Sequence, residues 1–459
     1  MNDENKVILI ISLLAFISCF TVESVTIALP EMTTQLHISP VMVNWISIAA
    51  FMFAVAFELP CGKILTRYGV IKCLKRGLLL LLLSIFITIL TDNPYIIILG
   101  RLLSGSVIAI MAISIYLLIS NQIPKKDLGR ALGIGGLASA ISVLLAPIIG
   151  GILITYTNWR VLLGFPILFI IPLIILLYGF NKDWCNSKVD VDIVGSLLFL
   201  LNIVLVIYGL SFLNTYLGVI SFILGLVLFT VFLYYETKAK NPIYDFSLLK
   251  NKNYVINNYV ALAHRLAKSG ICIVIISYLQ YIRGLSAAST SIYIALIALM
   301  MLIFSPLSGK LSDSHDAIRI SKIGLICMII SSLGLCFINN LSNTLIMLFL
   351  IILGIGVGLV ESPNRKVVLY DIKEEQLGSA SSFLSTMRDM GDTIGIALFT
   401  LIIGIFSQTS DNWVFSSQVT IMIITFVLFS SLALFYANKY YKVIYKFDLP
   451  KLFDLGYLK

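Results

Sequence analysis

Gly133–Gly151, GIGGLASAISVLLAPIIGG, decides how the rest of this chain is read. The stretch is apolar enough for a bilayer, yet one side of it carries almost nothing bulky. Gly135, Ser139, Ser142, Ala146 and Gly150 recur every three or four residues, so a helix lines them up as one smooth stripe. In lipid, helices associate by packing rather than by hydrophobicity, and such a stripe lets two backbones approach closely. Pro147 removes a backbone donor and bends the helix just before Gly150 and Gly151. A bent helix with a small-residue face suits a pivot between two sliding bundles; a tightly packed membrane helix without a moving role is the plainer alternative.

Composition sets the class. Of 459 residues, 59% are hydrophobic and only 12% charged, against about 25% charged in soluble domains. Apolar runs of about 20 residues, the length that crosses a bilayer, recur throughout. The expectation is an all-α polytopic membrane protein with fourteen spans near 7–29, 43–61, 77–92, 95–119, 131–155, 160–179, 192–214, 216–235, 255–281, 288–308, 320–338, 342–361, 382–406 and 417–438. The first run is too long for a signal-peptide core and is expected to be retained. Seven scattered cysteines read as small hydrophobes, with no disulfide and no metal spacing.

Charge fixes the expected orientation. With the N-terminus cytoplasmic, inner loops and tails hold 26 of the 32 Lys and Arg, including Lys63, Arg67, Lys72, Lys75 and Arg76, then Lys125, Lys126 and Arg130, and five lysines from Lys439 to Lys459. The outer loops keep only Arg160 and Arg283. This asymmetry places both termini in the cytoplasm and accounts for the net charge of +9 without nucleic acid.

The chain also repeats itself. Gly62-Lys63 after span 2 returns as Gly309-Lys310 after span 10, an offset of 247 that also carries Lys75 to Lys322 and Gly77 to Gly324. Equivalent loops in two six-helix halves imply an internally duplicated transporter. The halves are 1–180 and 254–459, with an inserted pair of spans and a loop in 181–253.

These residues together resemble the major facilitator superfamily, and within it the fourteen-helix drug:proton antiporter branch of multidrug efflux type. Gly62, Lys63, Arg67 and Gly69 match its loop motif, and Asp313 matches the acidic position of the second copy, where the first has Thr66. Arg101-Leu-Leu-Ser104-Gly105 resembles its Arg-x-x-Gln-Gly pattern. Gly133, Pro147, Gly150 and Gly151 match its helix 5 antiporter signature, with Ser142 and Ala146 in place of glycines. The resemblance implies the major-facilitator fold, no cofactor, a proton and a small amphipathic compound or drug as partners, and a chain acting as a monomer in the cell membrane.

Where that branch has an aspartate in span 1, this chain has Thr21, and Glu23 follows two residues later. A carboxylate in hydrocarbon faces water, pairs with a base or holds a proton, so Glu23 and then Glu58 are candidate proton carriers. Arg101 always stays charged; it either tunes a carboxylate, as the resemblance implies, or clamps helices together. Span 9 holds His264, Arg265 and Lys268. By the resemblance span 9 lines the central cavity opposite span 1, so with Thr21 these are the candidate cavity residues; snorkelling to the interface suits Arg265 best and Lys268 less, since Lys268 lies roughly 20 Å into its span. Lys268 beside Glu23 favours anionic or zwitterionic cargo. Arg388–Asp392 reads as a locally paired structural cluster, Gly391 and Gly395 as a packing face, and Glu361 as interfacial.

No P-loop and no HExxH occurs, so ATP-driven transport and metalloenzyme chemistry are not expected. An uptake permease of the same fold and a non-transporting receptor are the remaining alternatives.

Overall fold

The computed structural model describes residues 3–123, 128–179, 191–239, 242–370, 372, 376–406 and 410–437. Lys125, Lys126, Cys185 and the tail lysines fall outside them, as do the side chains of Arg130 and Asp313. The described chain is helical, with no strand among its residues. The helices are α1 (Asp3–Leu36), α2 (Pro40–Tyr68), α3 (Val70–Ile89), α4 (Pro94–Gln122), α5 (Leu128–Tyr156), α6 (Trp159–Gly164), α7 (Ile167–Tyr178), α8 (Ile193–Ser211) and α9 (Tyr216–Glu236). They continue with α10 (Lys252–Ser277), α11 (Ala287–Ser314), α12 (Ala317–Leu335), α13 (Asn343–Leu369), α14 (Leu377–Phe406) and α15 (Ser410–Ala437).

Small polar residues start these helices. Ser39, Asn93, Asp192, Thr215, Asn251, Ser286, Asp316 and Ser342 each accept a backbone N–H of the first turn, satisfying donors that lipid cannot. Pro40 and Pro94 follow two of them, where a missing N–H costs nothing. Between α2 and α3 only Gly69 intervenes, at φ 96°, a conformation that glycine adopts freely.

Among the described residues thirteen stretches are long and apolar enough to cross a membrane. The fourteenth span is α3, whose first turns carry Lys72, Lys75 and Arg76 before an apolar remainder. Span 6 is divided into α6 and α7 at Phe165–Pro166, because Pro166 has no N–H to continue the ladder.

The helices form two six-helix bundles and an added pair. In the first bundle α1 packs on α5, and α2 and α3 pack on α4; in the second α10 packs on α14, and α11 and α12 on α13. The bundles meet through α5 with α11 and α2 with α14. The pair α8–α9 lies alongside, α8 touching both α2 and α14, with Trp45 of α2 against Tyr208 and Phe212 at 5.6 Å. Burial separates centre from edge: 83% of the most apolar part of α10 is buried, against 17% for α9, whose Leu217, Ile220, Leu224 and Val227 suit lipid.

The small-residue stripe of α5 packs within its own bundle rather than between bundles. A Cβ on Gly135 or Gly150 would meet Ile11 or Ile27 of α1, and Ser142 Oγ donates to Phe16 O at 2.8 Å. Ala146 is fully buried beside it. Contact with the other bundle falls to the neighbouring face: Gly151 meets Ser291, and Ala288 N donates to Thr155 Oγ1 at 3.2 Å. One helix cannot give the same side to two partners, and α1 takes the stripe. A Cβ on Gly133 would meet nothing within 4 Å among the described residues. Gly391 and Gly395 do seat a neighbour, lying against the Leu262 and Leu266 carbonyls of α10.

Candidate functional site

A cavity lies between the bundles, enclosing about 530 Å³ with the solvent at its mouth included. Val143 and Pro147 of α5, Phe51 of α2, Ile294 and Ile297 of α11 and Ile396 of α14 give it apolar walls. Glu23 of α1 and Lys268 of α10 supply its charges. Lys268 Nζ donates to Glu23 Oε1 at 2.5 Å, with the two side chains 5% and 22% exposed. The ion pair therefore joins the two bundles at the cavity wall. Both residues sit mid-helix, so rigid backbone holds the geometry.

His264, Arg265 and Lys268 of α10 each have an acid from a different helix. Lys268 takes Glu23 of α1; Arg265 Nη2 lies 2.6 Å from Asp392 Oδ2 of α14; His264 Nε2 lies 3.1 Å from Glu361 Oε2 of α13. Arg388 also pairs with Glu361, and Ser269 donates to Asp392. Three expectations change accordingly. Arg265 is held in the interior and does not snorkel. Glu361 does not end its helix, since α13 runs on through Pro363 to Leu369, and it serves as a partner of His264 and Arg388. Arg388 and Asp392 pair across helices instead of with each other. His264 and Arg265 are thus drawn away from the cavity, and neither lines it.

Thr21 does not line the cavity either. It faces a smaller recess on the other side of α1, beside Arg101. Among the described residues Arg101 meets no carboxylate: Nε donates to Ile46 O and Nη1 to Thr21 O, both at 3.2 Å. It clamps α4 to the backbones of α2 and α1. Glu58 is 2% exposed and lies beside Asp389 and Thr386 of α14.

The loop motifs sit at the ends of α2 and α11. Lys63 Nζ donates to Pro242 O at 3.0 Å, tying the first bundle to the segment after the added pair. Arg67 lies in the last turn of α2. A Cβ on Gly62 would meet open space, one on Gly309 would lie 3.6 Å from Ser362, and Lys310 is exposed. No cluster of metal-ligating side chains occurs among the described residues.

Sequence reasoning undervalued Asp392 and Glu361. A signal was present: three bases in one span need acids, and few carboxylates lie within the other spans.

Two bundles around a charged cavity with apolar walls are the architecture of a membrane transporter. The profile of the Major Facilitator Superfamily matches residues 11–396, and the chain belongs to that family. It is similar to riboflavin transporter RibZ of Clostridioides difficile (strain 630), 26% identical over 412 residues covering 87% of this chain and 88% of that one. It is also similar to multidrug resistance protein Stp of Mycobacterium tuberculosis (strain CDC 1551 / Oshkosh), 24% identical over 387 residues covering 82% and 71%. Among solved structures, the human organic anion transporter MFSD10 (TETRAN) shares the fold at a TM-score of 0.62 and 10% identity, over 95% of this chain and 100% of that one. A POT family transporter in complex with 5-aminolevulinic acid does so at 0.70 and 13%, over 93% and 96%. The relatives and the fold are those of transporters, not enzymes, and the chain is a multi-pass membrane protein.

Proposed function

We propose that this chain is a proton-coupled antiporter that exports small amphipathic compounds across the cell membrane, acting as a monomer with both termini in the cytoplasm. The halves 1–180 and 254–459 rock about the cavity, and 181–253 travels with them as an added pair. The carrying observation is the Glu23–Lys268 contact at 2.5 Å between bundles. A proton on Glu23 cancels the charge that holds Lys268, so proton binding and the cross-bundle ion pair exclude each other. That competition supplies a coupling element. The apolar walls suit an amphipathic cargo, and the ion pair suits one with a charged or zwitterionic group.

The test uses the full chain in proteoliposomes with a pH gradient imposed. Riboflavin, named for the relative RibZ, and ethidium, a lipophilic cation, serve as probes. Movement of either probe driven by the gradient, with counterflow of protons read by an internal pH dye, is the expected result. Movement that needs ATP or sodium and ignores the gradient refutes the coupling. Cysteines placed singly in 242–250 and 284–287 test the topology: in intact cells an impermeant thiol reagent reaches only the second set.

A further inference from the structure

The recess beside Arg101 belongs to a different side of α1 from the cargo cavity: Glu23 and Thr26 face the cavity, Thr21 and Ser24 the recess. It encloses about 280 Å³, solvent at its mouth included, with room for an ion or a water molecule. Arg101, 4% exposed, is its single charge. Nε and Nη1 are spent on carbonyls, while Nη2 is buried with no partner. The other polar lining residues are hydroxyls: Thr21, Ser24, Ser84, Thr88 and Ser104. Four of these donate to carbonyls of their own helices. Ser24 makes no hydrogen bond among the described residues, so its O–H is available to point inward.

A guanidinium cannot shed its proton, and two carbonyl dipoles do not balance a full buried charge. We propose that the recess binds one small monovalent anion of chloride size as the counter-ion of Arg101, held by Nη2 and the Ser24 hydroxyl. Access is from the face where α4 begins: Arg101 lies seven residues, about 10 Å, along the helix from Pro94. Thr88 near the end of α3 and Leu163 and Pro166 at the α6–α7 break form the recess on that side. Arg101 is the single charge of the recess, so it balances one monovalent anion and not a doubly charged one.

The experiment measures thermal unfolding of the purified full chain in detergent. Sodium chloride is exchanged for sodium gluconate at fixed ionic strength. An anion that binds only the folded protein raises the unfolding temperature with the logarithm of its concentration once the site fills. Wild type gains a few degrees in chloride or bromide, and nothing in gluconate or sulfate. Thr21→Asp places a covalent carboxylate in the recess, so the variant is at least as stable as wild type in gluconate and loses the chloride response. Ser24→Ala keeps the fold and needs about tenfold more chloride for the same gain. Equal wild-type stability in chloride and gluconate overturns the proposal and leaves water as the occupant. A full chloride response surviving in Thr21→Asp also overturns it, since the ion then acts elsewhere. Neither readout depends on transport or on Glu23.

Discussion

Gly151 of α5 and Ser291 of α11 meet so closely that a Cβ on Gly151 would lie 2.3 Å from Ser291 Oγ and 2.9 Å from the Ala287 carbonyl. With Ala288 N on Thr155 Oγ1 and Tyr281 OH on Thr33 Oγ1 at 2.7 Å, this contact closes the bundles against each other at the ends away from the N-terminus. Gly151→Ala pushes those ends apart, because backbone as well as side chain stands in the way. Transport falls about tenfold, corresponding to roughly 1.4 kcal/mol of lost closure, and a cysteine at Thr155 becomes more reactive to an impermeant reagent. Ser291→Gly in the same chain removes part of the obstruction and recovers part of the loss. Unchanged labelling in Gly151→Ala would show that the contact does not hold the closed arrangement.

Glu23 and Lys268 are expected to behave as a unit. Breaking a buried pair strands a charge at a cost of about 3–5 kcal/mol, and the 22% exposure of Glu23 moderates this to about 1–3 kcal/mol. Glu23→Gln and Lys268→Met therefore each lower the unfolding temperature, and the double variant is more stable than the worse single one. Glu23→Gln also abolishes proton counterflow in vesicles, and the double variant stays uncoupled. Additive losses in the cycle would mean that the two side chains do not interact in the membrane. Full gradient-driven transport by Glu23→Gln would make Glu23 structural and pass the proton role to Glu58.

The fold was legible because lipid restricts the choices: a long apolar run must be a helix, and basic loops between runs mark the turns. All fourteen spans correspond to helices of the structure, with boundaries moved by several residues and span 6 divided at Pro166. The cross-bundle meeting of Glu23 and Lys268 was legible through the family resemblance, which sets spans 1 and 9 across one cavity, and the structure brings the two side chains together there. Facing was not legible. Which side of α5 touches α1 depends on its rotation about its axis, and the stripe is equally small toward either partner. His264 shares a face with Lys268, so height along α10 rather than facing parts them: His264 and Arg265 lie about a turn earlier, where Glu361 and Asp392 meet them, and Lys268 reaches the cavity.

Asp392 is expected to be among the residues that hold the second bundle together. It is fully buried, takes the Ser269 hydroxyl and faces Arg265 at 2.6 Å. Asp392→Ala strands the guanidinium of Arg265, itself 18% exposed, and destabilises by about 3–5 kcal/mol. Asp392→Asn keeps the Ser269 hydrogen bond and loses less. Thermal unfolding of the purified variants decides it: equal midpoints for Asp392→Ala and wild type would remove Asp392 from the framework.

A pH effect is expected outside the spans, at Asp245 in the segment between α9 and α10. Asp245 Oδ1 accepts from Ser247 N at 3.0 Å and Oδ2 from Gln376 Nε2 at 2.6 Å, while Asp245 N donates to Ser379 Oγ at 3.2 Å. The Ser247 and Gln376 hydrogen bonds favour the charged form and hold the Asp245 carboxyl below its ordinary value. A depressed acid binds its proton less readily in the folded chain than in the unfolded one. Its stabilisation is therefore complete above the unfolded value of about 3.9 and is lost as pH falls through the lower folded value. The segment's hold on the start of α14 accordingly weakens only below about pH 4. Other carboxyls titrate there too, so the readout is the gap in unfolding temperature between wild type and Asp245→Asn from pH 3 to 7. That gap is small because the group is mostly exposed; it stays constant from pH 7 to about 4.5 and closes toward pH 3. Gln376→Ala removes one of the two bonds and leaves a smaller gap with the same pH dependence. A gap that widens on acidification would reverse the assigned sign and show that the folded chain binds this proton more tightly than the unfolded one.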